Sequence, residues 1–262
     1  MVADDQVPPG DAPVLAGQAT AVVERATSEG VVLRLMGGIA VALHCPSASH
    51  RALKRDYADI DFVTGKVDGA KIDAFLAEIG YFPERRFNSI HGRTRRLYFD
   101  ESGTRQIDIF VSHFKMCHEL PLGDRLALDS PTIPLAELFL TKAQIVELNH
   151  KDMLDLLALL ADHPVGQGDA ETINSDVIAR LCGADWGLCK TIGLTLDKID
   201  NSIDIEAGEL DRDLIRERTA AIRRVLDEAP KSMRWKARAR VGERVPWYEL
   251  PEDPRRGTQL TP

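Results

Sequence analysis

The sequence predicts an α/β fold in which a small mixed β-sheet, flanked by helices, precedes a helical region. Up to about residue 130, stretches rich in β-forming residues alternate with helical patterns and glycine-containing turns. From Pro134 onward, apolar residues recur at helical spacing in one segment after another. These patterns divide the chain into a flexible leader, an α/β domain, a helical domain and a tail, over residues 1–17, 18–130, 131–228 and 229–262.

The composition is typical of a globular protein of the cytoplasm. The 262 residues suffice for one large domain or two modest ones, and they carry a formal net charge of −8. No stretch approaches the roughly 20 apolar residues of a membrane helix, and the acidic N-terminus lacks a signal-peptide core. We therefore expect a cytoplasmic protein without membrane contact. The cysteines form no CxxC pair and are expected to be reduced, and His44, Cys45 and His50 lack the second ligand pair of a zinc site.

Each predicted element has a local signal. The helix over residues 68–79 stops at Gly80, and the helix over residues 208–228 has an apolar face opposite its charges. In the first half, the predicted helices span residues 18–28, 39–43 and 68–79, and the strands span residues 31–36, 59–63, 81–87, 95–99 and 105–111. In the second half, the predicted helices span residues 134–148, 150–162, 170–182, 186–201 and 208–228.

Two carboxylates lie close together on the predicted strand over residues 59–63. Because side chains alternate along a strand, Asp59 and Asp61 point to one face while Ile60 and Phe62 point to the other. Carboxylates this close repel each other unless a cation lies between them. The pair therefore predicts a magnesium site of the kind that binds a nucleoside triphosphate.

A third carboxylate, Asp108, lies among the apolar β-forming residues of the strand over residues 105–111. Carboxylates are rarely buried without a partner, so we expect Asp108 to face the same site as Asp59 and Asp61. Three acids on neighbouring strands can hold two metal ions about 4 Å apart, as in-line phosphoryl displacement requires. The turn at Gly37-Gly38, which leads into a helix, would let phosphates approach backbone N–H groups.

The order of these motifs, a glycine pair, Asp-x-Asp and a later strand aspartate, resembles the nucleotidyltransferase superfamily of the DNA polymerase β type. Within it, the chain is most similar to the AbiEii-like toxin nucleotidyltransferases and the antibiotic nucleotidyltransferases. The AbiEii-like pattern has a proline-led helix with a lysine and then a basic-Asp pair, similar to residues 134–142 and Lys151-Asp152 here. The resemblance covers residues 30 to 160. Where many members carry Gly-Ser, this chain has Gly37-Gly38, so backbone N–H groups alone would hold the phosphate.

The resemblance implies a magnesium-dependent enzyme that moves a nucleoside monophosphate from an NTP, such as ATP, to an acceptor and releases pyrophosphate. Asp59, Asp61 and Asp108 would be the catalytic residues and would bind two Mg²⁺ ions, with Asp108 also a candidate proton acceptor. The residues expected to bind the nucleotide are Gly37, Gly38, Arg51, Lys54, Arg55, Lys142 and Asp152. From the residues alone, the alternatives are a solvated Lys142 and a helix-capping Asp152.

The acceptor depends on which branch of the family the chain resembles. The resemblance to the toxins implies RNA, such as a tRNA end, or a protein, and an antitoxin partner. The resemblance to the antibiotic enzymes implies a small aminoglycoside-like molecule. The arginines between residues 85 and 96 favour RNA. The tail favours RNA too, because from Lys231 onward it contains eight Lys or Arg and only four Asp or Glu. Trp235, Trp247 and Tyr248 in this tail would stack on bases or dock on the body. A catalytically silent nucleotide- or partner-binding module of the same fold is the alternative to an enzyme.

Overall fold

The computed structural model describes residues 12–55, 57, 59–66 and 69–250. Most of the predicted leader (residues 1–11) and the end of the predicted tail (residues 251–262) lie outside the described residues. The predicted fold class is confirmed: a small mixed sheet with flanking helices is followed by a run of helices.

A five-stranded mixed sheet forms the first half of the molecule. Its strands are β1 (Leu33–Met36), β2 (Asp59–Thr64), β3 (Tyr81–Pro83), β4 (Arg95–Asp100) and β5 (Gln106–Val111). The strand order is β1-β2-β5-β4-β3, in which β2 and β5 are parallel and all other neighbours are antiparallel. The two strands that carry the predicted catalytic aspartates are therefore direct neighbours. Two small two-stranded ladders follow, β6 (His113–Lys115) with β7 (Glu119–Pro121), and β8 (Val165–Gly166) with β9 (Ile173–Asn174).

Helices flank the sheet and make up most of the second half. The first four are α1 (Ala12–Ser28), α2 (Gly37–His44), α3 (Gly69–Glu78) and α4 (Arg85–His91). The others are α5 (Leu135–Ala143), α6 (His150–Asp162), α7 (Ser175–Ala184), α8 (Trp186–Glu206), α9 (Arg212–Glu228) and α10 (Met233–Val241). Among the described residues, no helix combines the length and the apolarity needed to cross a membrane.

One hydrophobic core runs from the sheet into the helical region. Phe62 of β2, Phe139 of α5 and Leu156 of α6 are all fully buried in the same cluster. Helix α2 packs against β1 and β2 on the sheet side and against α5 and α6 on the helical side. The short helix that starts at the glycine pair is therefore the element that joins the two halves.

The segment before α5 lies along the outer side of β1. The Leu35 N–H donates to the Pro131 carbonyl at 2.8 Å, and the Ile133 N–H donates to the Leu35 carbonyl at 2.9 Å. Arg34 Nε donates to the Asp129 carbonyl at 2.6 Å. The edge of β1 that faces away from β2 is thus hydrogen-bonded to the segment that leads into the helical region.

Several element boundaries differ from the predictions. The helices predicted over residues 170–182, 186–201 and 208–228 are observed as α7, which begins at Ser175, α8, which ends at Glu206, and α9, which begins at Arg212. The predicted strand over residues 81–87 ends at Pro83, and α4 follows because the Glu84 side chain accepts a hydrogen bond from the Phe87 N–H and caps that helix. Helix α1 already begins at Ala12, inside the predicted leader. Helix α5 ends at Ala143, short of the predicted end at residue 148.

The described part of the tail packs on the helical region. Trp247 Nε1 donates to Thr191 Oγ1 of α8 at 3.2 Å, and the Trp247 ring meets the Trp186 ring edge to face. The Arg238 guanidinium lies over the Trp186 ring, 4.8 Å from the ring centroid. For these residues, docking on the body is the arrangement observed.

Candidate functional site

The three predicted catalytic aspartates lie on one face of the sheet, and we call them the aspartate face. Asp61 of β2 stands directly opposite Asp108 in the parallel register of β2 and β5. Asp59 lies on the same face because it precedes Asp61 by two residues along β2. Asp108 is buried, whereas Asp59 and Asp61 are half-buried. The register brings the three side chains together, and their catalytic role stays a prediction.

Burial and crowding make the aspartate face unfavourable for negative charge. Burial, followed by the repulsion of Asp108 and Asp59, raises the pKa of Asp61 to about 7. Burial also raises the pKa of Asp108, although Arg95 opposes that shift. Arg95 Nε lies 2.9 Å from both oxygens of Asp108, and a terminal guanidinium nitrogen contacts Oδ2. One arginine bonded to Asp108 thus faces three carboxylates.

The turn from β1 into α2 approaches Asp61 closely. Met36, the last residue of β1, is the register partner of Asp61. The next residue, Gly37, has a φ of 69°, in the left-handed region that favours glycine. A Cβ at Gly37 would lie 2.2 Å from Asp61 Oδ2. Both the backbone conformation and the close carboxylate therefore require glycine here, and the N-terminus of α2 lies beside the aspartate face.

Gly38 is covered by an arginine. A Cβ at Gly38 would lie 1.7 Å from a guanidinium nitrogen of Arg55. This guanidinium binds Asp155 of α6 in a fork, with Nε to Oδ1 at 2.9 Å and Nη2 to Oδ2 at 2.7 Å. It also lies over the Tyr57 ring, 4.3 Å from the centroid. The position next to Gly38 that the sequence assigned to phosphate is thus held by a side chain of the protein.

Lys142 joins the same contacts, and we call Arg55, Lys142, Asp152 and Asp155 the Arg55–Asp155 network. Lys142 Nζ lies 2.8 Å from Asp152 Oδ1 and 2.8 Å from Asp155 Oδ2. Burial disfavours the charged ammonium, but the two carboxylates outweigh this effect and raise the pKa of Lys142. With two bases and two acids, the network is balanced in charge.

The predicted nucleotide-binding residues therefore lie in two environments. Arg51 and Lys54 are exposed, while Arg55, Lys142 and Asp152 lie in the Arg55–Asp155 network. The alternative of a solvated Lys142 is wrong, because this side chain is 13% exposed and paired with two acids. Asp152 is not the N-cap of α6, because Asn149 caps the helix by accepting a hydrogen bond from the Asp152 N–H at 2.9 Å. The Asp152 carboxylate lies in the first turn and accepts a hydrogen bond from Asn149 Nδ2 at 2.8 Å.

The structure places Arg95 beside Asp108, and Asp155 beside Arg55 and Lys142, contacts that were not predicted from the sequence. Arg95 precedes Leu97, the register partner of Asp108, by two residues, so strand alternation puts Arg95 on the same face as Asp108. That alternation was the available signal. Asp155 follows Asp152 at the i+3 spacing that brings two side chains to one face of a helix. This spacing indicates a shared partner, although it does not identify Arg55 or Lys142.

The arginines between residues 85 and 96 do not act as one basic patch. Arg95 pairs with Asp108, and Arg96 pairs with Asp73 at 2.8 Å. The three that are exposed on α4 and the turn after it are Arg85, Arg86 and Arg93. Of the arginines in this segment, these three are therefore the candidates for binding RNA.

The aspartate face fits a hard divalent cation. Its donors are carboxylate oxygens, which Mg²⁺ prefers. The raised pKa of Asp61 indicates that the protein alone does not compensate the negative charge there. A cation shared with Asp108 requires the Arg95 guanidinium to move away from at least one Asp108 oxygen.

No family model and no curated protein matches this chain. Two solved structures similar to it are named as nucleotidyltransferases or as like them. An antigenic nucleotidyltransferase-like protein from Paracoccidioides brasiliensis has a TM-score of 0.40 and 14% identity, over 86% of this chain and 97% of that chain. A proposed nucleotidyltransferase from H. pylori has a TM-score of 0.41 and 13% identity, over 85% of this chain and 100% of that chain. At this level, neither likeness carries an argument about the site.

Proposed function

We propose that this chain is a magnesium-dependent nucleotidyltransferase, which moves a nucleoside monophosphate from an NTP to an acceptor and releases pyrophosphate. The observation that carries the proposal is the register that sets Asp61 opposite Asp108, with Asp59 on the same face. The N-terminus of α2 at Gly37 lies beside them. Crowded carboxylates next to a helix N-terminus suit a triphosphate that is held through metal ions and backbone N–H groups.

Each residue has a role in this proposal. Asp59 and Asp61 would hold Mg²⁺, with Asp108 as a further ligand. When bound, the metal ions would neutralise the charge that develops on the reacting phosphate. The backbone N–H groups at Gly37 and Gly38 would orient the phosphates. Asp108 takes the proton of the attacking hydroxyl through an oxygen that Arg95 has released.

The test is transfer of label from each NTP in turn, with Mg²⁺ and a cell extract as the source of acceptors. We expect transfer with pyrophosphate release, and a loss of roughly 10²–10³-fold or more in Asp59→Asn and in Asp61→Asn. Asp213→Asn is the matched control, because the Asp213 side chain is 96% exposed on α9. Wild-type transfer by the Asp59→Ala/Asp61→Ala double variant rules out the mechanism.

A second candidate is a nucleotide- or partner-binding module without turnover. Two contacts favour it: Arg95 holds Asp108, and Arg55 covers Gly38. The two candidates are separated by thermal stability with Mg²⁺ plus NTP and by pyrophosphate release with a broad acceptor mixture. Stabilisation without release favours the module, whereas release that depends on Asp61 excludes it.

For the acceptor we propose RNA, supported by the exposed Arg85, Arg86 and Arg93 in the half of the chain that carries the aspartate face. A protein or a small aminoglycoside-like cation are the other acceptors to compare. Affinity for RNA held through phosphates must fall steeply between low and high salt. Absence of RNA binding at low salt contradicts the RNA assignment and leaves the transfer chemistry to be tested with the other acceptors.

A further inference from the structure

A second cluster of polar side chains lies at the opposite end of α2 from the glycine pair. His44 is the last residue of α2, His163 directly follows α6, and Glu171 lies in the loop between β8 and β9. One ligand atom from each of the three lies within 4.8 Å of the other two. None of the three has a role in the proposed transfer reaction.

Hydrogen bonds fix the tautomer of His44. The Thr132 hydroxyl donates to Asp129 Oδ2 at 3.3 Å, so its oxygen is left to accept from His44 Nε2, 2.5 Å away. His44 Nε2 therefore carries the ring proton, which leaves the lone pair on Nδ1.

The tautomer of His163 follows in the same way. His163 Nε2 lies 3.2 Å from the His44 carbonyl, which can only accept, so Nε2 donates. In the neutral ring, Nδ1 then has a lone pair, yet it faces two oxygens of Glu171, the carbonyl at 3.3 Å and Oε2 at 3.6 Å. A lone pair directed at two oxygens is unfavourable, and a metal ion between them would relieve the repulsion. The His163 side chain is 5% exposed, so bulk water does little to relieve the conflict.

The surroundings of the cluster also favour a cation. Helices α2 and α6 both end here, and the C-terminal end of a helix carries partial negative charge. Glu171 has a φ of 48°, a conformation that residues other than glycine rarely adopt. An open cavity of about 580 Å³, lined by His44, His163 and Glu171 among others, gives an ion access to the cluster.

We propose that His44, His163 and Glu171 bind a zinc ion. Two imidazoles and one carboxylate are ligands that zinc takes, with a water from the cavity in the fourth position, whereas Mg²⁺ and Ca²⁺ prefer oxygen ligands alone. Zinc bonds of about 2.0–2.1 Å in a tetrahedron place neighbouring ligand atoms about 3.3–3.5 Å apart. The 3.6 Å between His163 Nδ1 and Glu171 Oε2 is close to this value.

The hydrogen bonds behind the two imidazoles are those that zinc sites use to orient their histidines. Thr132 holds Nε2 of His44, and the His44 carbonyl holds Nε2 of His163. A bound ion ties the end of α2 to the end of α6. Because α2 begins at Gly37 and α6 carries Asp152 and Asp155, the ion fixes the two sides of the candidate transfer site relative to each other.

The test uses the metal-free, full-length chain without an affinity tag, titrated with Co²⁺ as a visible substitute for zinc. We expect one equivalent to give the intense d–d absorption of a tetrahedral site, which zinc then bleaches, and zinc to raise Tm. Glu171→Gln and His163→Gln should lose this absorption. Thr132→Val should retain it with an affinity lower by roughly 10–100-fold, as for the loss of a bond behind a metal ligand.

Two control variants separate this site from other metal binding. Glu206→Gln removes another His–Glu contact, His150 Nε2 to Glu206 Oε2 at 2.9 Å, and should leave the absorption unchanged. Asp61→Asn should leave it unchanged too, because the aspartate face offers only oxygen ligands. The Glu171 side chain is 80% exposed, so its substitution does not threaten folding. Absence of the band in the wild type, or an equal band in Glu171→Gln, overturns the proposal.

Discussion

The aspartate face and the Arg55–Asp155 network are neighbouring clusters of buried charge that differ in their balance. Among the ion pairs found in the described part of the chain, one guanidinium, that of Arg95, binds Asp108 on the aspartate face, whereas in the network two acids bind two bases. The clusters are close enough for Lys142 to oppose the rise in the pKa of Asp61, which burial and Asp108 cause. A balanced cluster is complete without a ligand, while the unbalanced one leaves charge for a cation to compensate. This difference indicates that the Arg55–Asp155 network stabilises the fold, whereas the aspartate face is the candidate binding site.

The largest expected effect comes from breaking the balanced cluster. Asp155→Asn leaves Arg55 and Lys142 in a buried position without their shared carboxylate, which typically costs about 3–5 kcal/mol of unfolding free energy. Urea unfolding at pH 7 measures this change. Asp213→Asn, at an exposed position, should stay within about 0.5 kcal/mol of the wild type. A loss below about 1 kcal/mol in Asp155→Asn would mean that the network contributes little to the fold.

A smaller effect of the opposite sign is expected on the aspartate face. The pKa of Asp61 rises from 3.8 to about 7 on folding, so between these values the folded state binds more protons than the unfolded state. The free energy of unfolding therefore falls as pH rises from about 4 to 7 and then levels off. Asp61→Asn removes this slope and should be more stable than the wild type at pH 8 without Mg²⁺, by about 1–3 kcal/mol.

Urea unfolding at pH 5 and pH 8 measures the difference between Asp61→Asn and the wild type. Asp108→Asn is the informative companion: burial raises the pKa of Asp108 too, but this change also removes a carboxylate that binds Arg95, so the variant should gain less stability at pH 8 than Asp61→Asn does. Added Mg²⁺ should reduce the slope in the wild type and leave Asp61→Asn unchanged. Identical pH profiles for Asp61→Asn and the wild type would contradict the raised pKa.

The smallest effects belong to the basic residues outside both clusters. Arg51→Ala and Lys54→Ala should change the free energy of unfolding by less than about 0.5 kcal/mol, because both side chains are exposed. If they contact the triphosphate, each should weaken NTP binding by about 1 kcal/mol, or roughly fivefold. Calorimetric titration with NTP and Mg²⁺ measures this loss. Lys236→Ala, on the exposed surface of α10, is the control, and a loss as large there would point to general charge effects.

Features that depend on residues close together in the sequence can be predicted from it, whereas contacts between distant residues cannot. The common face of Asp59 and Asp61 depends on strand alternation, and the fold class depends on local periodicity, so both can be predicted from short segments. The partner of Arg55 lies 100 residues away, and His163 lies 119 residues from His44, so no local pattern identifies either. The predicted strand over residues 81–87 fails for a local reason, because the Glu84 side chain starts a helix there.

The cover along β1 also determines how the molecule can meet another chain. An open strand edge invites pairing with a further strand, and such pairing leads to aggregation. Here the residues before α5 hydrogen-bond to Leu35 on one edge of the sheet. At the other edge, β3 has three residues and ends at Pro83, which has no N–H to offer. Both edges therefore offer few backbone groups to a further strand, and the link between the two halves of the chain also disfavours edge-to-edge self-association.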